Sequence, residues 1–261
     1  MIRVVAVDLD GTLLRSDGTV SPRSAKALAQ AGLRTVIVTA RPPRFVEMLA
    51  REAGLGGLAI CSNGAVVYDL DSRHTEIVGP LSIRTARAAA DATAEVLPSA
   101  AFALETGWRA IHGPHYGHIA SRETSTSQAE TIEELWASAE SCVKLLAWTP
   151  AAVTDAMLAS VGAALPADAE VTYSGAKGML EIHAAGVSKV VTLARLCDDW
   201  GVSPAEVAAF GDMPNDLPVL RWAGRSVAMA NAHPQVLAAA SEFTASNDDD
   251  GVAIVLECMM S

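Results

Sequence analysis

Short apolar runs that end in polar, glycine-containing clusters set the rhythm of the first part of the chain. Val4-Val5-Ala6-Val7, residues 33–38 and residues 58–60 have the length and branched-residue content of strands buried on both faces. Between them, Ser21-Pro22 offers an N-cap and first-turn proline for a helix running to Gly32, and Pro42-Pro43 opens a second helix that closes near Gly54. This βαβαβ alternation predicts an α/β fold with a parallel, doubly wound sheet and chemistry at the carboxyl ends of its strands.

The pattern changes after Ser62-Asn63-Gly64. Residues 65–68 and 76–78 flank a polar turn and predict a hairpin. Ser82 is placed to cap a long helix through about Val96. Strands are expected near residues 101–104, 108–111, 143–148, 170–173 and 179–183, with helices over 131–139 and 150–164. From Ser188 the first pattern returns: a helix from Lys189 to Trp200, strands at 207–210 and 225–229, a helix opened by Asn231 and Pro234, a short strand at 242–244 and a helix from about Gly251. The expected organisation is a discontinuous core, residues 1–82 plus 185–261, interrupted by an inserted α+β domain of residues 83–184.

Composition narrows the classes of function. Half of the 261 residues are hydrophobic, which supplies a sizeable core, and the net charge of −11 argues against nucleic acid or an anionic membrane as partner. The four cysteines are scattered without a C-x-x-C pair, so reduced cysteines in a cytosol are expected rather than a zinc site or a disulfide framework. Met1-Ile2-Arg3 enters the first strand at once, leaving no room for a signal peptide, and the apolar run from Gly251 to Met260 is too short to span a bilayer. A soluble cytoplasmic protein, monomer or homodimer, is expected.

Four polar clusters carry the candidate chemistry. Asp8 and Asp10 are two apart at the end of the first strand, which places both carboxylates on one side of an extended chain, and Gly11 lets the backbone turn. Asp8 is the candidate nucleophile, since a carboxylate needs no deprotonation at neutral pH and can form an aspartyl-phosphate; Asp10 is the candidate acid and base. Thr39 ends the second strand, where its hydroxyl can hold a phosphate oxygen. Lys189 lies in the first turn of a helix, where a cation opposes the helix dipole unless an anion is held there. Asp212, Asn215 and Asp216 follow a strand and Gly211, and with Asp8 they offer the oxygen ligands that Mg²⁺ favours. The same loops supply candidate substrate contacts: Leu9, Gly11 and Thr12, then Ala40 and Arg41, then Asn63. In the insert, the stretch from Glu105 to His118 carries Trp108, Arg109, His112, His115 and Tyr116. Its glycines and proline predict a solvated or substrate-facing loop rather than a metal site.

In this order the clusters resemble the haloacid dehalogenase (HAD) superfamily, and within it the Cof-like phosphatases. The matching stretches are residues 7–14, Val38-Thr39-Ala40-Arg41, Ser62-Asn63-Gly64-Ala65, Gly186-Val187-Ser188-Lys189, residues 210–216 and Met229-Ala230-Asn231-Ala232. The resemblance implies Asp8 as nucleophile, Asp10 as acid and base, and Thr39 and Lys189 on the phosphoryl group. It further implies Mg²⁺ held by Asp8, the Asp10 main-chain carbonyl and Asp212, with Asn215 and Asp216 in support, and an insert similar to that subfamily's cap domain, which reads the leaving group. The implied activity is hydrolysis of a small phosphorylated metabolite; the alternatives are a phosphomutase of the same fold and a non-catalytic phospholigand-binding regulator. Three positions depart from the pattern: Ala40 and Val190, where glycine is common, and Pro218, which is expected to interrupt the helix after Asp216.

Overall fold

A computed structural model describes residues 1–117 and 125–260. Along the chain run β1 (Val4–Val7), α1 (Pro22–Gln30), β2 (Arg34–Val38), α2 (Pro43–Ala53), β3 (Leu58–Cys61), β4 (Val66–Asp69) and β5 (Thr75–Ile77). Next come β6 (Leu81–Ser82), α3 (Ile83–Val96), β7 (Ala101–Glu105), β8 (Ala110–His112), β9 (Thr126–Gln128), α4 (Ile132–Ala137), β10 (Ser141–Cys142), β11 (Lys144–Trp148), α5 (Asp155–Ala164), β12 (Ala169–Thr172) and β13 (Met179–Ala184). The chain closes with α6 (Lys189–Asp199), β14 (Val207–Gly211), α7 (Leu217–Trp222), β15 (Arg225–Ala228), α8 (Pro234–Ala239), β16 (Glu242–Phe243) and α9 (Gly251–Met260). Two compact units result: Met1–Glu76 with the chain from Ser188 onward, and Ile77–Val187. The breaks fall a few residues from those expected, partly because β6 pairs with β10 and so carries Leu81 and Ser82 with the insert.

The first unit is built on one sheet of order β16-β15-β14-β1-β2-β3-β4-β5. The strands from β16 to β3 pair in parallel, and β4 turns back antiparallel on β3. β1 lies between β14 and β2, and Val4, Val5 and Val7 have no exposed surface. That is the burial expected of a strand covered on both faces. Local signals set the helix starts: the hydroxyls of Ser21 and Ser188 accept amides of the first turns of α1 and α6, and Gly54 ends α2 in the left-handed conformation. Pro218 does not interrupt a helix. It stands in the first turn of α7, where its missing N–H is harmless, after a separate 3₁₀ turn over Pro214–Asp216. Likewise α8 is capped by His233 rather than opened by Asn231.

The second unit has a sheet of order β12-β13-β11-β7-β8-β9. One face packs Phe102, Leu104, Leu145, Leu180 and Ile182 against apolar side chains of α3, α4 and α5. The other face carries a smaller apolar cluster of Ala101, Ala103, Tyr116 and Leu146, beside buried charged side chains. Lys144 stands opposite Glu105 in register and donates to Glu181 Oε1 at 3.1 Å, and the side chains of the pair are each 3% exposed. Within the stretch from Glu105 to His118 the strand expected near 108–111 forms at Ala110–His112 and pairs with β7, and the buried His112 ring lies 4.9 Å from that of Tyr116. The turn signals of Gly113 and Pro114 hold just after that strand, where the Tyr116 amide donates to the Gly113 carbonyl at 3.3 Å; His118 lies outside the described residues. α5 starts at Asp155, later than expected, because the Thr154 hydroxyl rather than Pro150 supplies its cap. Among the described residues no helix is long and apolar enough to cross a membrane.

Candidate active site

Strand order places the first carboxylates. Val7 pairs with Phe210, and the Asp8 amide donates to the Phe210 carbonyl at 3.1 Å, so Asp8 and Asp212 leave adjacent parallel strands at the same end. Gly11 turns the chain with φ at +76°, and a Cβ there would fall 2.2 Å from Asp212 Oδ2. Only glycine allows that approach. Thr12, itself buried, donates its hydroxyl to Asp212 Oδ1 at 3.0 Å.

Lys189 reaches the same point from α6. The turn at Ser62–Gly64 abuts the start of that helix so closely that a Cβ on Gly64 would lie 2.4 Å from the Ser188 carbonyl, and Thr192 clamps it by donating to the Gly64 carbonyl at 2.8 Å. The buried Lys189 ammonium then sits 2.8 Å from both Asp8 Oδ1 and Asp216 Oδ1. Its conflict with the helix dipole is resolved by these two anions. The other oxygen of Asp216 accepts the backbone N–H groups of Asp212 and Met213, each at 3.2 Å. Asp216 therefore ties the lysine to the loop after β14.

The electrostatics are those of crowded, dehydrated carboxylates. Burial pushes the Asp8 pKa well above its ordinary value and Asp216 adds to this, while Lys189 pulls it back. Asp212 is raised to about 6 by burial and by Asp216, against the Thr12 hydrogen bond. Burial works against the Lys189 charge, but Asp216 and Asp8 outweigh it and raise its pKa. Asp8, Asp212 and Asp216 each bring an oxygen within 4.8 Å of the others. Three carboxylates facing one ammonium leave an excess of buried negative charge. The donor set is all oxygen and suits a hard divalent cation, which would cancel that excess.

The remaining predicted residues divide by role. Thr39 is buried at the end of β2, and its hydroxyl accepts the Arg41 amide at 3.1 Å. Asn63 is buried beside it, with φ at 57° and its amide on the Thr39 carbonyl at 3.1 Å. Ala40, which follows Thr39, is half-buried. Arg41 is engaged within the protein: it forms a two-pronged ion pair with Asp10, which stands outside the three-carboxylate cluster. Leu9 and Thr12 do not offer free side chains to a substrate. The Leu9 side chain has no exposed surface and belongs to the core, so only its backbone faces the loop's chemistry, and the Thr12 hydroxyl is spent on Asp212. Asn215 is half-buried on the 3₁₀ turn and hydrogen-bonds to none of the three carboxylates among the described residues.

The sequence profile of the haloacid dehalogenase-like hydrolases matches residues 5–256. The chain belongs to that family. A phosphoglycolate phosphatase of Halorubrum lacusprofundi is 30% identical, with 98% of this chain and 96% of the relative aligned. The pyridoxal phosphate phosphatase YbhA of Escherichia coli is 28% identical over 96% of each chain. Among solved structures, a haloacid dehalogenase-like hydrolase from Bacteroides thetaiotaomicron superposes with a TM-score of 0.82 over 99% of this chain and all of its own, at 24% identity, a likeness of fold. These two relatives are named as phosphatases of different phosphorylated substrates.

In this HAD-like hydrolase two asparagines hold the loop that follows β1. Asn231 Nδ2 donates to the Gly11 carbonyl at 2.8 Å and its Oδ1 accepts the Asn247 amide at 3.0 Å. Asn247 in turn donates to the Leu14 carbonyl at 2.8 Å. Asp248 and Asp250 extend the attachment to Ser16 and Arg15. The sequence placed Asn231 only at the start of a helix and in the family pattern, and gave Asn247, Asp248 and Asp250 no role. The signal available was the polar run 247–250 ahead of α9, which reads first as a cap.

Proposed function

We propose that the chain is a cytosolic, Mg²⁺-dependent phosphomonoester hydrolase acting on a small phosphorylated metabolite, a sugar phosphate or a cofactor precursor, through an aspartyl-phosphate on Asp8. The observation that carries this reading is the Lys189 ammonium held 2.8 Å from Asp8 Oδ1 at the mouth of three converging carboxylates. One cation fixes the nucleophile's free rotation and its charge faces the incoming phosphate. Asp8 and Asp212, with the Asp10 carbonyl and supported by Asn215 and Asp216, would hold Mg²⁺, which supplies positive charge to the phosphoryl oxygens when bound.

Asp8 attacks phosphorus, and the bond to the leaving oxygen breaks as Asp10 gives that oxygen a proton. Water then attacks the aspartyl-phosphate, Asp10 takes its proton, and phosphate leaves. Thr39 and the backbone of residues 9–12, 40 and 63 surround the place where phosphate oxygens would lie. The insert is assigned to selection of the leaving group, in keeping with the spread of substrates among relatives.

The test is release of inorganic phosphate from a panel of phosphorylated metabolites, with and without chelator, by the parent and by Asp8→Asn. Steady, chelator-sensitive release that Asp8→Asn abolishes supports the reading. Transfer of phosphate to a second hydroxyl without release would mean a mutase, and tight binding of phospholigands without turnover a regulator.

A further inference from the structure

The Asp10–Arg41 pair bears on the second half of that reaction. Arg41 Nε donates to Asp10 Oδ2 at 2.8 Å and a terminal nitrogen donates to Oδ1 at 2.6 Å, so one planar fork engages both oxygens. The arginine is fixed in its turn. Its guanidinium lies 5.5 Å from the centre of the Phe45 ring, its amide is on Thr39 Oγ1, and its carbonyl accepts the Ser62 amide at 2.9 Å. Arg41 thus links the chain after β1 with the ends of β2 and β3. The side chains of Arg41 and Asp10 are 34% and 54% exposed, a setting in which an ion pair adds little to stability. What it supplies is geometry.

We propose that Arg41 is a positioning residue that holds Asp10 as the base for hydrolysis of the aspartyl-phosphate, an inference that rests on the phosphatase reading above. Two N–H donors aimed at both oxygens match a carboxylate; a carboxylic acid would turn its own O–H against one of them. In the first half of turnover the Asp8–phosphorus bond forms, the bond to the leaving oxygen breaks, and the Asp10 proton goes to that oxygen. In the second half the water–phosphorus bond forms, the Asp8–phosphorus bond breaks, and the water proton goes to the Asp10 carboxylate. The paired geometry belongs to this second half. A leaving group that needs no proton, such as p-nitrophenolate, separates the halves.

Rapid-mixing kinetics with p-nitrophenyl phosphate and Mg²⁺ on the parent, Arg41→Lys and Arg41→Met test the assignment. In Arg41→Met the first equivalent of p-nitrophenolate should appear within about twofold of the parent rate, while steady turnover falls about tenfold or more, so that a burst approaching one per active site develops. Arg41→Lys should fall between. Acid-quenched Arg41→Met should hold more phosphoenzyme than the parent, and adding Arg41→Met to Asp10→Asn should slow phosphoenzyme decay no further. Equal losses in both phases, a rise in KM alone, or no change in either phase would each overturn the assignment. A parent enzyme that releases no phosphate would instead sink the phosphatase reading itself, and the two failures are distinct.

Discussion

Asp216 holds Lys189 at 2.8 Å with one carboxylate oxygen and the loop after β14 with the other. It is the hinge pin between the cation and the carboxylate cluster. Asp216→Asn should keep the loop hydrogen bonds in part but weaken the grip on the ammonium. The expected result is a fall in kcat of about ten- to a hundredfold with a smaller change in KM, read from steady-state kinetics on the best substrate found.

The raised carboxylates fix the pH dependence. Asp212 is raised to about 6 and Asp8 is raised in the same sense. Between the unfolded value and the raised folded value the folded chain binds more protons than the unfolded one, so metal-free stability declines as pH rises through that window. Thermal unfolding in chelator should show a lower midpoint at pH 7 than at pH 5 from these groups. The increase in midpoint on adding Mg²⁺ should be larger at pH 7. Activity should lose its acid limb near the Asp212 value and recover toward lower pH as Mg²⁺ is raised. A Mg²⁺ effect that grows on acidification would contradict the assignment.

Gly11 is the position where a methyl group does most harm to the cluster. A Cβ would meet Asp212 Oδ2 at 2.2 Å, on a backbone with φ at +76°. Gly11→Ala should weaken divalent-cation binding to the purified protein about tenfold or more by calorimetry, and lower stability by about 1 kcal/mol or more in urea titrations.

Asn231 acts on the same loop from outside. Without its amide the Gly11 carbonyl and the Asn247 amide lose their partner. Asn231→Ala should reduce kcat about tenfold and speed amide exchange across residues 9–16, measured by deuterium uptake. Unchanged exchange there would show that the bridge does not hold the loop.

The insert offers a stability test independent of catalysis. Lys144 and Glu181 are buried together at 3.1 Å. Lys144→Met strands a buried carboxylate and should cost about 3–5 kcal/mol, whereas Lys144→Met with Glu181→Leu should recover most of that loss. Urea unfolding of the two variants is the measurement.

The legible parts of this chain were local ones. A buried strand announces itself by unbroken Val4–Val7, and a helix start by Ser21-Pro22 or Ser188, because each signal lies within a few residues of what it specifies. The alternation of elements predicted a parallel, doubly wound sheet with its polar clusters at the carboxyl ends of the strands, but not the order of those strands. Partner choice was not legible. Whether Arg41 faces substrate or Asp10, and whether Thr12 contacts phosphate or Asp212, is decided by side-chain reach across neighbouring strand ends, which no local pattern encodes. The two-residue strands β6 and β10 were missed because two residues carry no periodicity. The burial of His112 and Tyr116 was missed because it depends on which face of a sheet they occupy.

The central neighbours β1 and β14 are separated by most of the chain, with the whole of Ile77–Val187 synthesised between them. As the polypeptide leaves the ribosome, Val4 to Val7 emerges early and waits without one of its two flanking strands until residues 207–211 are made. The contiguous insert can fold while the first half-sheet still has an open edge, a template for mispairing. Competence to carry out chemistry therefore arrives late and all at once. A nascent chain arrested before β14 would hold Asp8 yet lack Asp212 and Asp216, which crowd it in the finished fold.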